Sequence, residues 1–430
     1  MEILYVLLVL LLVTRTFGEL AVRLGQPALV GELISGIALG TIVAQYGSTF
    51  PVLADLTEDH VFIAITDLGV FFLLLYGGIE MRPKELAKAS LPSFVIATFG
   101  LLVPLAIGYG LGWWFLPDSS YKTAQSLFIG TALAITAVPV AIRVLMDLGK
   151  LQTRVGKIIV SAAVFDDVLS LVLLAVLTAV ARTGEFPAAA GLILVFGKIL
   201  LFFGITFVIG QFVFPRIGKW INRFAADELE LSVMLIVAMS FAWLAEALDL
   251  HFILGAFMAG LFFGRQTVGK GTYNDVRKKV SGITSGFLAP IFFASIGLHL
   301  HLSAVLAVPV FLVLLVIAAF GSKLLGAGVS ACCMGLKRSE STAIGVAMSA
   351  RGAVELIIAD IALRAGLFDF PQPTPPVVAN LFSAVVIVAI VTTITIPIAL
   401  PQVFAFQEST KQGKKGKTAS GSKSGQRAHA

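Results

Sequence analysis

The chain has 430 residues, of which 58% are hydrophobic and only 13% charged, where soluble domains carry about 25% charged residues. With a mean hydropathy of +0.96, this composition excludes an ordinary soluble domain and predicts an all-α polytopic membrane protein. The formal charge of +6 does not call for nucleic acid as a partner, because its distribution among the loops accounts for it.

The first segment, MEILYVLLVLLLVTRTFGEL, lacks a basic leader region and a small-residue cleavage site, so it is expected to remain as the first span. About 20 apolar residues cross a bilayer. Apolar runs between charged or Gly/Pro breaks give about 13 transmembrane helices, near 3–22, 28–45, 60–79, 91–116, 123–146, 155–181, 188–214, 229–248, 251–264, 281–299, 304–335, 340–365 and 376–402. The adjacent Cys332 and Cys333 cannot easily bridge each other, so no disulfide framework is expected. Residues 406–430 are polar, basic and Gly/Ser-rich, a composition that predicts a disordered tail.

Of the 31 Lys and Arg residues, 24 lie in or beside the segments after odd-numbered spans and three after even-numbered ones. The positive-inside rule then places the N-terminus outside and the tail in the cytoplasm.

The chain also resembles itself. VGELISGIALG (30–40) aligns with LGAFMAGLFFG (254–264), with three glycines at the same spacing. GGIEM (77–81) aligns with IGLHL (296–300), and AITAVP (134–139) falls opposite AMSARG (347–352). Two repeats of six spans around one extra span must lie in opposite orientations, which is the inverted-repeat plan of secondary transporters. The expected organisation is repeat one over 1–182, a linker helix over 186–221 and repeat two over 227–405.

Ionisable side chains at membrane depth are costly, roughly 2.5–3.5 kcal/mol each, and are retained for partners or for function. Asp166 falls about 16 Å into the sixth span, near the bilayer midplane, and Asp167 is turned about 100° from it. Lys323 lies at similar depth in the eleventh span. Thr136 and Arg351 hold corresponding places in the two repeats, each beside a helix-weakening residue, Pro139 and Gly352. Broken helices at matching repeat positions point to a transport site, where freed carbonyls such as those near Val138 can coordinate a cation. Arg351 and Glu355, four apart, are expected to form a structural ion pair. Arg15 and Lys198 are expected to snorkel or pack, and Glu32, Asp67, Glu246 and Asp360 to sit nearer span ends. His299 and His301 lack the neighbours of a metal site. No Walker A motif or nucleophile elbow is present, so neither an enzyme nor a nucleotide-driven pump is indicated. A cation channel would need a filter loop, and none stands out.

QPALVGELISGIALG, LGVFFLLLYGGIEM, FIGTALAITAVPVAIRVLMDLGKLQTRVGKIIVSAAVFDDV, LGAFMAGLFFG and MSARGAVELIIA, in this order, resemble the monovalent cation–proton antiporters of the second large branch, especially bacterial NapA-type sodium/proton antiporters. The resemblance covers nearly all of 1–405. It implies a thirteen-span fold in which the fifth and twelfth spans are broken and cross. Spans one, two, eight and nine, with the seventh as linker, would form a dimerisation domain, giving a homodimer in a bacterial inner membrane. It further implies Na⁺ or Li⁺ exchange for H⁺ without a cofactor, K⁺/H⁺ exchange being the alternative. Asp166-Asp167 resembles the acid pair of electrogenic members, and Lys323 matches their membrane lysine. On that likeness Asp167 holds the exchanged ion, Thr136 adds a ligand, and Asp166 pairs with Lys323 when sodium is absent. Residues 406–430 are too few for the nucleotide-binding domain that potassium-efflux relatives often carry, so nucleotide gating is not expected.

Overall fold

A computed structural model describes residues 2–46, 56, 59–80, 91–136, 141, 144–145, 148–151, 153–183, 189–213, 216, 229–264, 268–300 and 302–424. All regular structure among them is helical. The first half contains α1 (Glu2–Arg23), α2 (Ala28–Tyr46), α3 (His60–Glu80), α4 (Leu91–Phe115), α5 (Lys122–Ala134) and α6 (Arg154–Thr183). Next comes α7 (Ala189–Val208), which runs on through a π-helical turn at Ile209–Val213. The second half contains α8 (Leu229–Ala247), α9 (Phe252–Phe262), α10 (Lys270–Leu298), α11 (Pro309–Cys333), α12 (Arg338–Ala347), α13 (Ala353–Arg364) and α14 (Leu381–Ser424).

Among the described residues, eight helices are long and apolar enough to cross a bilayer: α1, α3, α4, α6, α8, α10, α11 and the first part of α14. α2, α7 and α9 are shorter apolar helices. The fifth and twelfth expected spans are the interrupted ones. α5 stops after 13 residues, about 20 Å of helix against a core of about 30 Å. The twelfth span is divided into α12 and α13.

Two boundaries differ from the sequence expectation. α10 begins at Lys270, not near 281. Its polar start buries Tyr273, Val276 and Val280, at a spacing of three and four, so it is an amphipathic stretch of about three turns that a search for apolar runs misses. α14 continues as helix to Ser424, into the segment whose composition predicts disorder. Extending a helix already nucleated by a span costs far less than starting one.

The glycines of the segments that align in sequence make matching contacts. A Cβ on Gly31 of α2 would run into Phe17 and Gly18 of α1; a Cβ on Gly255 of α9 would run into Phe241 and Ala242 of α8. Gly36 of α2 abuts the Ala294 carbonyl of α10, and Gly260 of α9 abuts the Leu75 carbonyl of α3. Gly297 meets Leu33 and Gly36, while Gly78 meets Phe257 and Gly260. In these contacts each α1 or α2 residue maps to its α8 or α9 counterpart by adding 224, and each α3 residue to its α10 counterpart by adding 219. These are the offsets at which the sequence aligns with itself.

Those close contacts also sort the helices. α1, α2, α3, α8, α9 and α10 pack on one another, and α4, α5, α6, α11, α12, α13 and α14 form a second group, with α7 touching both. The helix group that holds the expected spans one, two, eight and nine thus also holds the third and tenth. The reason is glycine: Gly78 and Gly297 let α3 and α10 seat backbone to backbone against α9 and α2.

Candidate functional site

The site forms where two helices stop. Past Ala134 the chain of α5 turns extended, with Ile135 at φ −76° and ψ 145°. The last carbonyls of a helix have no partner within it. Here cations supply them: Arg351 Nη1 donates to the Ala132 carbonyl, Nη2 to the Leu133 carbonyl at 2.8 Å, and Lys323 Nζ to the Ala134 carbonyl. Positive charge at a helix C-terminus also complements the helix dipole. Arg351 lies in the break between α12 and α13, and Glu355 sits in the first turn of α13, where the dipole favours an acid.

Thr136 ties the two breaks together. Its N–H donates to Asp166 Oδ2 at 3.0 Å, and its hydroxyl donates to the Met348 carbonyl at 3.1 Å. Lys323 Nζ donates to the Thr136 hydroxyl at 2.7 Å and stands 3.7 Å from Asp166 Oδ1. Arg351 Nη1 is 3.3 Å from Glu355 Oε1, and the Arg351 carbonyl accepts from Thr393 Oγ1 at 2.7 Å. Asp166, Lys323, Arg351 and Glu355 are all 0% exposed. Asp167, one residue on, is only partly buried.

The structure thus brings Asp166, Thr136, Lys323, Arg351 and Glu355 into one cluster and leaves Asp167 as the more accessible acid. Val138 and Pro139 lie outside the described residues. Lys198 contacts Asp249 at 2.5 Å, and Arg15 donates to the Ser285 carbonyl while standing 3.7 Å from Glu32. His299 Nδ1 is 2.8 Å from the Ser295 carbonyl, and His301 lies outside the described residues. No group of three or more potential metal ligands occurs among the described residues.

Sequence reasoning missed several participants. The carbonyls of Ala132, Leu133 and Ala134 carry no side-chain signal, although a helix that ends without a capping glycine needs donors from elsewhere. Thr393 is hidden in an apolar run. Immediately after Lys323, α11 widens into a π-helical turn, Leu324–Val329, in which Gly326 lies against the Phe99 carbonyl of α4. Asp67 and Asp360, expected merely near span ends, share one arginine: Arg364 Nε is 2.8 Å from Asp360 Oδ2, Nη1 2.8 Å from Asp67 Oδ1, and Nη2 donates to Thr66 Oγ1 at 2.9 Å. These bonds join α13 of one helix group to α3 of the other. They border a small cavity that Val70, His251 and Phe252 also line.

A family model described as "Sodium/hydrogen exchanger, transmembrane" matches residues 7–405. The Na(+)/H(+)-K(+) antiporter GerN of Bacillus cereus is 32% identical over 414 residues, covering 96% of this chain and 99% of that protein. The Na(+)/H(+) antiporter NhaS4 of Synechocystis is 30% identical over 405 residues, covering 90% and 93%. The fold resembles that of the sodium proton antiporter MjNhaP1 from Methanocaldococcus jannaschii, with a TM-score of 0.68 at 18% identity, over 94% of this chain and 98% of that one.

Proposed function

The chain belongs to the sodium/hydrogen exchanger family, and from that premise we propose that it is a secondary active antiporter exchanging Na⁺ for H⁺ by alternating access. The observation that carries this reading is a half-buried acid, Asp167, beside a fully buried Asp166–Lys323 pair at the meeting of two helix breaks. One carboxylate at membrane depth binds a proton or a hard cation, not both. Burial favours the neutral acid, and a cation supplies the charge that makes the carboxylate tolerable.

Asp167 takes the exchanged ion. Asp166 holds Lys323 while sodium is absent. When Na⁺ draws Asp166 away, the stranded ammonium loses its counter-charge and releases its proton. Na⁺ also displaces the proton carried by Asp167, so two protons, one from each group, move against one Na⁺, and transport carries net charge. Motion of the α4–α6/α11–α14 group against the other carries the site across. The static group forms the contact of a homodimer. The chain lies in a bacterial cell membrane with its N-terminus outside and its tail in the cytoplasm, the side richer in Lys and Arg.

The test uses everted vesicles with a preformed proton gradient, challenged separately with Na⁺, Li⁺ and K⁺. Na⁺ and Li⁺ are expected to dissipate the gradient. Failure of all three to do so ends the antiporter reading. A K⁺ response equal to that for Na⁺ instead favours the second reading, K⁺/H⁺ exchange, which the Na(+)/H(+)-K(+) naming of a 32% identical relative supports.

A further inference from the structure

We propose that Ser170 is a cation ligand of the Asp166–Asp167 site and biases it toward the smaller monovalent cations. This rests on the antiporter reading above and deepens it. Serine and threonine inside helices ordinarily return the hydroxyl proton to a carbonyl three or four residues back. In this chain Thr14, Thr131, Thr178, Thr206 and Thr392 all do so, at 2.7–2.9 Å. Ser170 does not: it is 1% exposed, and its Oγ has no hydrogen-bond partner. Asp166 Oδ1, four residues back on the same helix, is also without a hydrogen bond. A buried hydroxyl left unpaired destabilises a fold, so its retention beside the two acids needs a use.

Helix geometry supplies one. At about 100° per residue, Asp167 is turned about 100° from Asp166, and Ser170 only about 40°. Ser170 therefore lies between the two carboxylates around the axis, about one turn further on. Side chains on a helix lean toward its N-terminus, which brings the Ser170 hydroxyl back over the acids. Residues three and four apart are surface neighbours, and Ser170 stands in these relations to Asp167 and Asp166. A hydroxyl oxygen is a hard, neutral ligand suited to an alkali cation. Fixed on the same rigid helix as the carboxylates, it narrows the space between oxygens. A narrower cage favours Na⁺ and Li⁺ over K⁺.

The experiment compares Ser170→Ala, Ser170→Thr and Ser322→Ala with the wild-type chain. Ser322 Oγ is the matching control, a second buried hydroxyl without a partner, on α11 beside Lys323. In proteoliposomes, Ser170→Ala is expected to raise the apparent KM for Na⁺ about tenfold, with kcat changed by less than about twofold, and to shrink the Na⁺ over K⁺ preference. Ser170→Thr keeps the hydroxyl and stays near the wild type. Ser322→Ala leaves the Na⁺ KM in place. In detergent, Ser170→Ala without ions melts no lower than the wild type, but its stabilisation by Na⁺ is reduced. Ser170→Ala that folds with unchanged KM, ion preference and Na⁺ stabilisation overturns the proposal. Wild-type protein that exchanges no cation defeats the antiporter reading alone, since ion-dependent melting still scores Ser170.

Discussion

Lys323 Nζ stands 3.7 Å from Asp166 Oδ1 while it donates to Thr136 Oγ1 at 2.7 Å and to the Ala134 carbonyl. One ammonium thus joins α11, α6 and the end of α5 in a place from which solvent is excluded. Its charge caps a helix C-terminus and balances a carboxylate at once, so the helix break and the acid pair depend on the same side chain.

Lys323→Ala leaves Asp166 buried without its counter-charge. Breaking a buried pair from one side costs about 3–5 kcal/mol. The thermal midpoint in detergent is expected to fall clearly, and Asp166→Asn in the same chain is expected to restore more than half of the loss. A double variant as unstable as Lys323→Ala alone would show that the lysine acts through the α5 carbonyls and not through Asp166.

Asp167→Asn presents the opposite case. Asp167 is partly exposed and sits outside the buried pair, so its neutral isostere is expected to fold with a melting midpoint close to that of the wild type. Exchange is nonetheless expected to vanish for Na⁺, Li⁺ and K⁺ alike, because the remaining acid, Asp166, is held by Lys323 and the accessible carboxylate that cation and proton share is gone. Full exchange by Asp167→Asn would move the site to another residue.

Much of this was legible in the sequence. Asp166, Asp167, Lys323 and Arg351 are visible because a charge inside an apolar run has few explanations. The repeat is visible because backbone-to-backbone contact tolerates only glycine, as at Gly36 and Gly260. What escaped has equally physical causes. The partners of Arg351 and Lys323 are carbonyls, present at every residue and marked at none. The polar start of α10 reads as a loop because hydropathy ignores helical spacing. Arg364 and Asp67 are 297 residues apart in sequence, and only the packed fold brings them together.

The repeat contacts predict matched sensitivities. Gly36→Ala drives a methyl into the Ala294 carbonyl, and Gly260→Ala drives one into the Leu75 carbonyl. Overpacking of this kind costs about 1–3 kcal/mol, and the two variants are expected to lower the melting midpoint to a similar degree. Gly77→Ala, next to the crowded Gly78, has nothing within 4 Å of the added methyl. It is expected to be neutral or to stabilise α3 by up to about 1 kcal/mol, since alanine is the better helix former. Destabilisation by Gly77→Ala equal to that of Gly36→Ala would mean that the effect is generic to helical glycines.

Arg364 predicts how the two helix groups separate. Its guanidinium is held in place by Asp360 on its own helix and reaches Asp67 and Thr66 on α3, beside the cavity lined by Val70. Any movement of α13 away from α3 must break those bonds. Partly exposed ion pairs contribute about 0.2–1 kcal/mol each, enough to change the open fraction a few-fold. A Val70→Cys reporter in a chain whose exposed Cys332 and Cys333 are changed to Ser is expected to react slowly with a membrane-impermeant thiol reagent, because Val70 is 3% exposed. Adding Arg364→Gln is expected to raise the labelling rate about threefold to fivefold. The charge swap Asp67→Arg with Arg364→Asp is expected to return it toward the starting value. Labelling that Arg364→Gln leaves unchanged would show that the helix groups part elsewhere, and that this arginine braces α13 without restraining their motion.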